Sequence, residues 1–181
     1  MKGRTLLDHT ALSYTLDRLA YEVYEQHLDF SNLAIVSLQP RGVAVGEHIV
    51  KKLAELTDGE KILHGKLDVT FYRDDFRRRE EVLVPSSTDM EFSVEGKEII
   101  LVDDVLYTGR TVRSGLDALL DFGRPKHVEL LVLIDRRFSR ELPVQPDYTG
   151  RMVDVVSDER VKVEWSEDNS NNRVTLYSAD Q

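Results

Sequence analysis

Two adjacent carboxylates, Asp103 and Asp104, followed by Thr108, Gly109, Arg110 and Thr111, are the residues here whose types and spacing best suit chemistry. Neighbouring ionised side chains repel each other, so they are best explained by a diol that donates hydrogen bonds or by a divalent cation. The run behind them adds hydroxyls at Thr108 and Thr111, and Gly109 lets the backbone take positive φ or approach a ligand closely. Where such a run opens a helix, its first N–H groups lack intrahelical partners and the peptide dipoles favour an anion. A ribose 5-phosphate supplies the diol and the phosphate together.

The flanking residues predict what positions this group. Residues 99–102, IILV, read as a strand buried on both faces, and Val112, Leu116, Leu119 and Leu120 fall at a helical period that ends at Gly123 and Pro125. The order is strand, acidic pair, turn, helix, with the carboxylates at the carboxyl end of the strand, where open α/β sheets bind ligands. Upstream, apolar residues at 12, 16, 19, 20 and 23 form a helical stripe, with Asp8 or Thr10 as N-cap. Residues 33–38, LAIVSL, read as a buried strand leading into QPRG and a helix with Val43, Val45, Ile49, Val50 and Leu53. That second strand-to-helix turn, with Arg41 and Gly42, suits a second anion. Residues 62–72 read as a strand and RDDFRRRE after it as a charged loop; residues 128–134, VELLVLI, form another buried strand. Strand-like pieces at 161–165 and 173–177, joined by SEDNSNN, predict a hairpin.

Composition sets the bounds. A chain of 181 residues with 41% hydrophobic and 31% charged content fits one soluble domain with its own core. No cysteine is present, which excludes disulfides and thiolate metal sites and leads us to expect a reducing, cytoplasmic setting. MKGRTLLDHT lacks a signal-peptide core, no apolar run is long enough to span a membrane, and the five histidines are scattered without metal-ligand spacing. A net charge of −9 argues against sequence-independent nucleic-acid binding, though not against a local basic patch.

The string IILVDDVLYTGRT resembles the phosphoribosyl-pyrophosphate (PRPP) motif of type I phosphoribosyltransferases. With DALLDFGRP behind it, the chain resembles within that group the PyrR family, bifunctional pyrimidine operon regulators and uracil phosphoribosyltransferases. An acidic pair after a strand also occurs in response-regulator receivers, but near the chain start and without a phosphate cradle. The resemblance implies an α/β fold with a mainly parallel central sheet flanked by helices, a flexible flap at about 72–93 and a small hood at about 135–181. The implied reaction is attack by uracil N1 on C1 of PRPP, giving UMP and pyrophosphate, with Mg²⁺ bound to PRPP. Tyr107, Thr108, Gly109, Arg110 and Thr111 fall on the 5-phosphate, with Val105 and Leu106 as further substrate-binding positions, and Asp103 and Asp104 on the ribose hydroxyls, Asp104 being expected to stabilise the cationic sugar. Pro40, Arg41 and Gly42 fall on the pyrophosphate loop, where Pro40 replaces a Thr. LDVTFYRDD matches the family's LDIT-YRDD pattern and makes Arg73 the flap residue expected at the pyrophosphate, with Arg77, Arg78 and Arg79 divided between that role and solvation.

The hood departs from its relatives: VDRGHRELP is IDRRFSRELP here, one residue longer and without the His, and GKNIPTS is GRMVDVV. Backbone groups near Arg136 and Val153 are the expected uracil site. A regulator would bind pyrimidine operon leader RNA when UMP is present, with Arg18, Arg140 and Arg151 as its basic residues, but Asp17 and Tyr21 stand where RNA-binding relatives carry Thr and His. A phosphoribosyltransferase for a purine or for orotate is the further alternative. Homodimers or larger homo-oligomers are implied by the resemblance, and no membrane partner is expected.

Overall fold

The computed structural model describes residues 3–27, 29–72, 87–155, 159–168 and 170–178. Its centre is a five-stranded, all-parallel sheet in the order β3-β2-β4-β5-β6. The strands are β2 (Leu33–Leu38), β3 (Leu63–Leu67), β4 (Glu98–Leu106), β5 (His127–Arg137) and β6 (Tyr148–Asp154). β1 (Gly3–Leu7), β7 (Arg160–Glu164) and β8 (Arg173–Tyr177) form a separate antiparallel sheet in the order β1-β8-β7.

Alternation along the central strands splits the core into two layers, because successive side chains point to opposite faces. Leu33, Ile35, Ile100, Val102, Leu131 and Leu133 pack beneath α1 (His9–Gln26) and α2 (Val43–Leu56). Ala34, Val36, Leu38, Ile99, Leu101, Leu130 and Val132 pack beneath α3 (Arg110–Leu119). The α1 stripe Leu12, Leu16, Leu19, Ala20 and Val23 is buried as expected, and Asp8 is the N-cap, accepting from the Ala11 N–H at 2.8 Å.

Four expectations change. The strand expected over 62–72 stops at Leu67, because the Asp68 carboxylate accepts from the Thr70 N–H (2.8 Å) and hydroxyl (2.6 Å) and turns the chain into a 3₁₀ segment at Thr70–Tyr72. α3 buries Val112, Gly115, Ala118 and Leu119, while Leu116 and Leu120 are exposed, so its core face is rotated from the one large side chains suggested. Residues 148–154, expected in the hood, join the central sheet as β6. The hairpin forms, but it is completed by the unforeseen β1, which pairs with β8.

α2 crosses β2 so closely that a Cβ on Gly46 would lie 1.9 Å from the Ser37 hydroxyl, which is itself hydrogen-bonded to His64 Nε2 at 2.9 Å. Gly46→Ala is therefore expected to destabilise the protein by roughly 1–3 kcal/mol through overpacking. Adding Ser37→Ala removes the clashing oxygen, so chemical denaturation of the double variant should show less than the sum of the two single effects.

Candidate active site

The functional groups gather where the chain leaves the carboxyl ends of β2, β4 and β5. β2 exits through Gln39, Pro40, Arg41 and Gly42, and the Gln39–Pro40 peptide bond is cis. The Gly42 N–H bonds back to the Leu38 carbonyl at 2.8 Å, and a Cβ there would sit 2.4 Å from the Val102 carbonyl, so only glycine brings this turn against β4. Gln39 was not foreseen as a site residue; its amide nitrogen donates to the Ser87 carbonyl at 2.8 Å and so holds the turn from outside. Arg41 is exposed and, among the described residues, makes no hydrogen bond or ion pair.

The acidic pair lies within β4, which continues two residues past Asp104 instead of ending before the pair as its sequence suggested, with Asp103 paired to Val132 in the ladder. Each residue is only 5% exposed, and Asp103 Oδ1 accepts from the Asp104 N–H at 2.9 Å. Burial pushes both carboxyls above the ordinary carboxylate range, Asp103 furthest because the neighbouring Asp104 adds repulsion. The Arg41 guanidinium works in the opposite direction on both.

Behind the pair the chain bends at Tyr107, Thr108 and Gly109, the last at φ +91°, and enters α3. The Thr108 carbonyl accepts from the N–H groups of Glu141 (3.0 Å) and Leu142 (3.1 Å), and Arg110 Nε binds Glu141 at 2.7 Å. These contacts brace the bend from behind. Among the described residues the N–H groups of Thr108, Gly109, Thr111 and Val112 have no hydrogen-bond acceptor, which is the arrangement an anion at a helix N-terminus needs.

A cavity of about 250 Å³ brings together Pro40, Arg41, Asp103, Asp104, Val105, Tyr107, Thr111 and Arg136, closed on one side by Val161 of β7. Val161 had no sequence signal, because only the tertiary fold carries β7 to this edge. A larger groove of about 380 Å³ between α1, α2 and Trp165 contains neither the acidic pair nor the bend. Other expected residues do not line the cavity: Leu106 is in the core, Val153 is buried beside Arg136 in the β5–β6 ladder, and Arg110 turns to Glu141. Arg73, Arg77, Arg78 and Arg79 lie outside the described residues.

The three arginines expected at an RNA surface are engaged within the fold. Arg18 binds the Gly150 carbonyl (2.5 Å) and Glu22 (2.5 Å), and Arg151 binds the Leu6 carbonyl (2.6 Å). Arg140 spans the Tyr107 carbonyl and the Asp135 carboxylate.

Parallel sheet, acidic pair and amide-lined bend together define a phosphoribosyltransferase. A phosphoribosyl transferase domain model matches residues 3–166, and the chain belongs to that family and, within it, to the PyrR family. It is 42% identical over 173 residues to the bifunctional protein PyrR of Elusimicrobium minutum, covering 96% of each chain. To the bifunctional protein PyrR of Enterococcus faecalis it is 37% identical over 181 residues, covering 100% of each. A hypoxanthine-guanine phosphoribosyltransferase from Bacillus anthracis shares the fold at TM-score 0.67 and 16% identity, over 87% of this chain and 86% of that one. No helix among the described residues is long and apolar enough to cross a membrane.

The raised carboxyls have a consequence for stability. A carboxyl whose folded-state pKa lies above its unfolded value destabilises the fold increasingly as pH rises from the unfolded value to the folded one. Asp103→Asn keeps an oxygen for the Asp104 N–H and removes the charge, so it should raise the melting temperature at pH 7. Thermal melts should show that gain shrinking to nothing as pH falls below the ordinary carboxylate range.

Proposed function

We propose that the protein transfers a phosphoribosyl group from PRPP to uracil, giving UMP and pyrophosphate. The observation that carries this reading is the buried acidic pair set one bend before four unbonded amides at the start of α3. The amides of that bend and the Thr111 hydroxyl take the 5-phosphate, Asp103 and Asp104 take the ribose hydroxyls, and Arg41 takes the pyrophosphate, with Arg73 of the flap joining it. A diol donating to the pair, or a cation near it, restores the charged form that burial disfavours, so ligand binding and ionisation of the pair favour each other.

Strand order supports the arrangement. Neighbouring strands are about 4.8 Å apart, and β2, β4 and β5 lie side by side, so Arg41, the acidic pair and Arg136 follow one another along the sheet edge. Pyrophosphate, ribose and base follow one another in the same order along the substrate. Mg²⁺ enters with PRPP: the pair supplies the carboxylate oxygens that this ion accepts, and no group of three or more acidic, His or Cys side chains is placed to hold it alone among the described residues. As C1 gains cationic character, ionised Asp104 stabilises the sugar, and Arg41 stabilises the charge growing on the leaving group.

Leader-RNA binding in the presence of UMP is the second activity that PyrR membership suggests. The hydrogen bonds of Arg18, Arg140 and Arg151 within the chain argue against those three side chains as its main contacts.

The direct test supplies PRPP and Mg²⁺ with uracil, guanine or orotate in turn and follows pyrophosphate release. Release with uracil is expected, and release with guanine or orotate but not uracil would reject the assignment. Arg41→Ala should lower kcat/KM for PRPP by about 10²- to 10³-fold, the typical worth of a preorganised charge-stabilising donor. Asp104→Asn should raise the PRPP concentration needed for half-maximal rate, and an unchanged saturation curve would remove Asp104 from the ribose.

A further inference from the structure

Arg136 is a cation buried in the wall of the substrate cavity, only 7% exposed. Its guanidinium carbon lies 4.0 Å from the centre of the Tyr107 ring, and one terminal nitrogen donates to the Glu159 carbonyl at 3.0 Å. Its Nε is buried without an acceptor, and no carboxylate forms an ion pair with it among the described residues. A ring face and one carbonyl hold a guanidinium in place but do not neutralise it. Buried charges are normally paired, and an unpaired one in a substrate cavity calls for an anionic partner in the reaction.

Among the described residues the other charges lining that cavity are Arg41, Asp103 and Asp104, and Glu159 exerts an attraction on Arg136. Along the carboxyl end of the sheet the acidic pair on β4 lies between Arg41, in the turn that leaves β2, and Arg136 on β5. Displacement at C1 needs the leaving group and the nucleophile on opposite sides of the sugar. One positive charge therefore faces the pyrophosphate, the negative pair faces the sugar, and a second positive charge faces the base.

Resting on the uracil phosphoribosyltransferase reading, we propose that the Arg136 side chain stabilises negative charge on the attacking base as its N1 proton is lost, beyond any role of the Arg136 backbone in holding uracil. The N1–C1 bond forms as the bond from C1 to the pyrophosphate oxygen breaks. That bonding pair leaves on pyrophosphate, and the N1 proton passes to solvent. Tyr107 and Glu159 act as positioning residues, fixing the guanidinium while leaving its charge available.

The test compares uracil with 5-fluorouracil, whose ring nitrogens are more acidic because fluorine withdraws electron density. Arg136→Met should lower kcat/KM with uracil by about 10²-fold, and by clearly less with 5-fluorouracil, because the more acidic base depends less on an external positive charge. A purely structural loss would lower both rates equally, and equal losses in a variant that melts cooperatively overturn the proposal. Arg136→Gln, neutral but polar, provides the same comparison if the Met variant does not fold. Arg136→Lys, which keeps the charge, should lose less than either and show a smaller difference between the two bases. Wild-type protein that releases pyrophosphate with neither base overturns the functional reading itself, an outcome distinct from wild-type turnover with equal losses in the variants.

Discussion

Two carboxylates buried side by side at the end of a central strand are the constraint on which the rest of this structure depends. In an apolar interior neither would stay ionised beside the other, and burial does push both towards the protonated form. The fold nevertheless keeps them in the middle of a parallel sheet, where an apolar pair would pack with less strain on stability. Such an expense persists at sites of function, and here the surroundings show what offsets it. Arg41 approaches from the turn after the neighbouring β2, and amides with no acceptor among the described residues follow directly in the chain.

Close packing of backbone makes that convergence possible. The turn after β2 reaches β4 because Gly42 has no side chain to strike the Val102 carbonyl. The bend before α3 is held from behind by the segment after β5, through the Thr108 carbonyl and the Arg110–Glu141 pair. The bend can therefore present its amides to a ligand without collapsing onto them, so the ligand's free energy is not consumed in ordering the loop.

Arg140 illustrates what the fold adds to a basic residue read from sequence. In a chain it is a charge beside a hood loop and a natural partner for nucleic acid; in the fold it also links the Tyr107 carbonyl to Asp135 and braces the bend before α3. Arg136 runs the other way. Its sequence neighbourhood suggested a backbone role, and the fold reveals a buried side-chain charge in the cavity wall that forms no ion pair among the described residues.

The sequence by itself determined the strand–acid–bend–helix unit, the parallel core strands, the Arg41–Gly42 turn and the membership of the family, because each is written in contiguous residues whose period and chemistry are local. Only the tertiary structure decided which residues meet. β1 pairs with β8 from the far end of the chain, β6 leaves the hood for the sheet edge, and Val161 closes the cavity, all through pairings between distant segments that no local period encodes. The same holds for α3, whose buried face includes Gly115 and Ala118, with Gly115 set so close to β2 that a Cβ there would lie 2.8 Å from a Leu38 methyl. Side-chain burial and charge compensation belong to the assembled packing, and a linear chain carries them only once its distant parts are in contact.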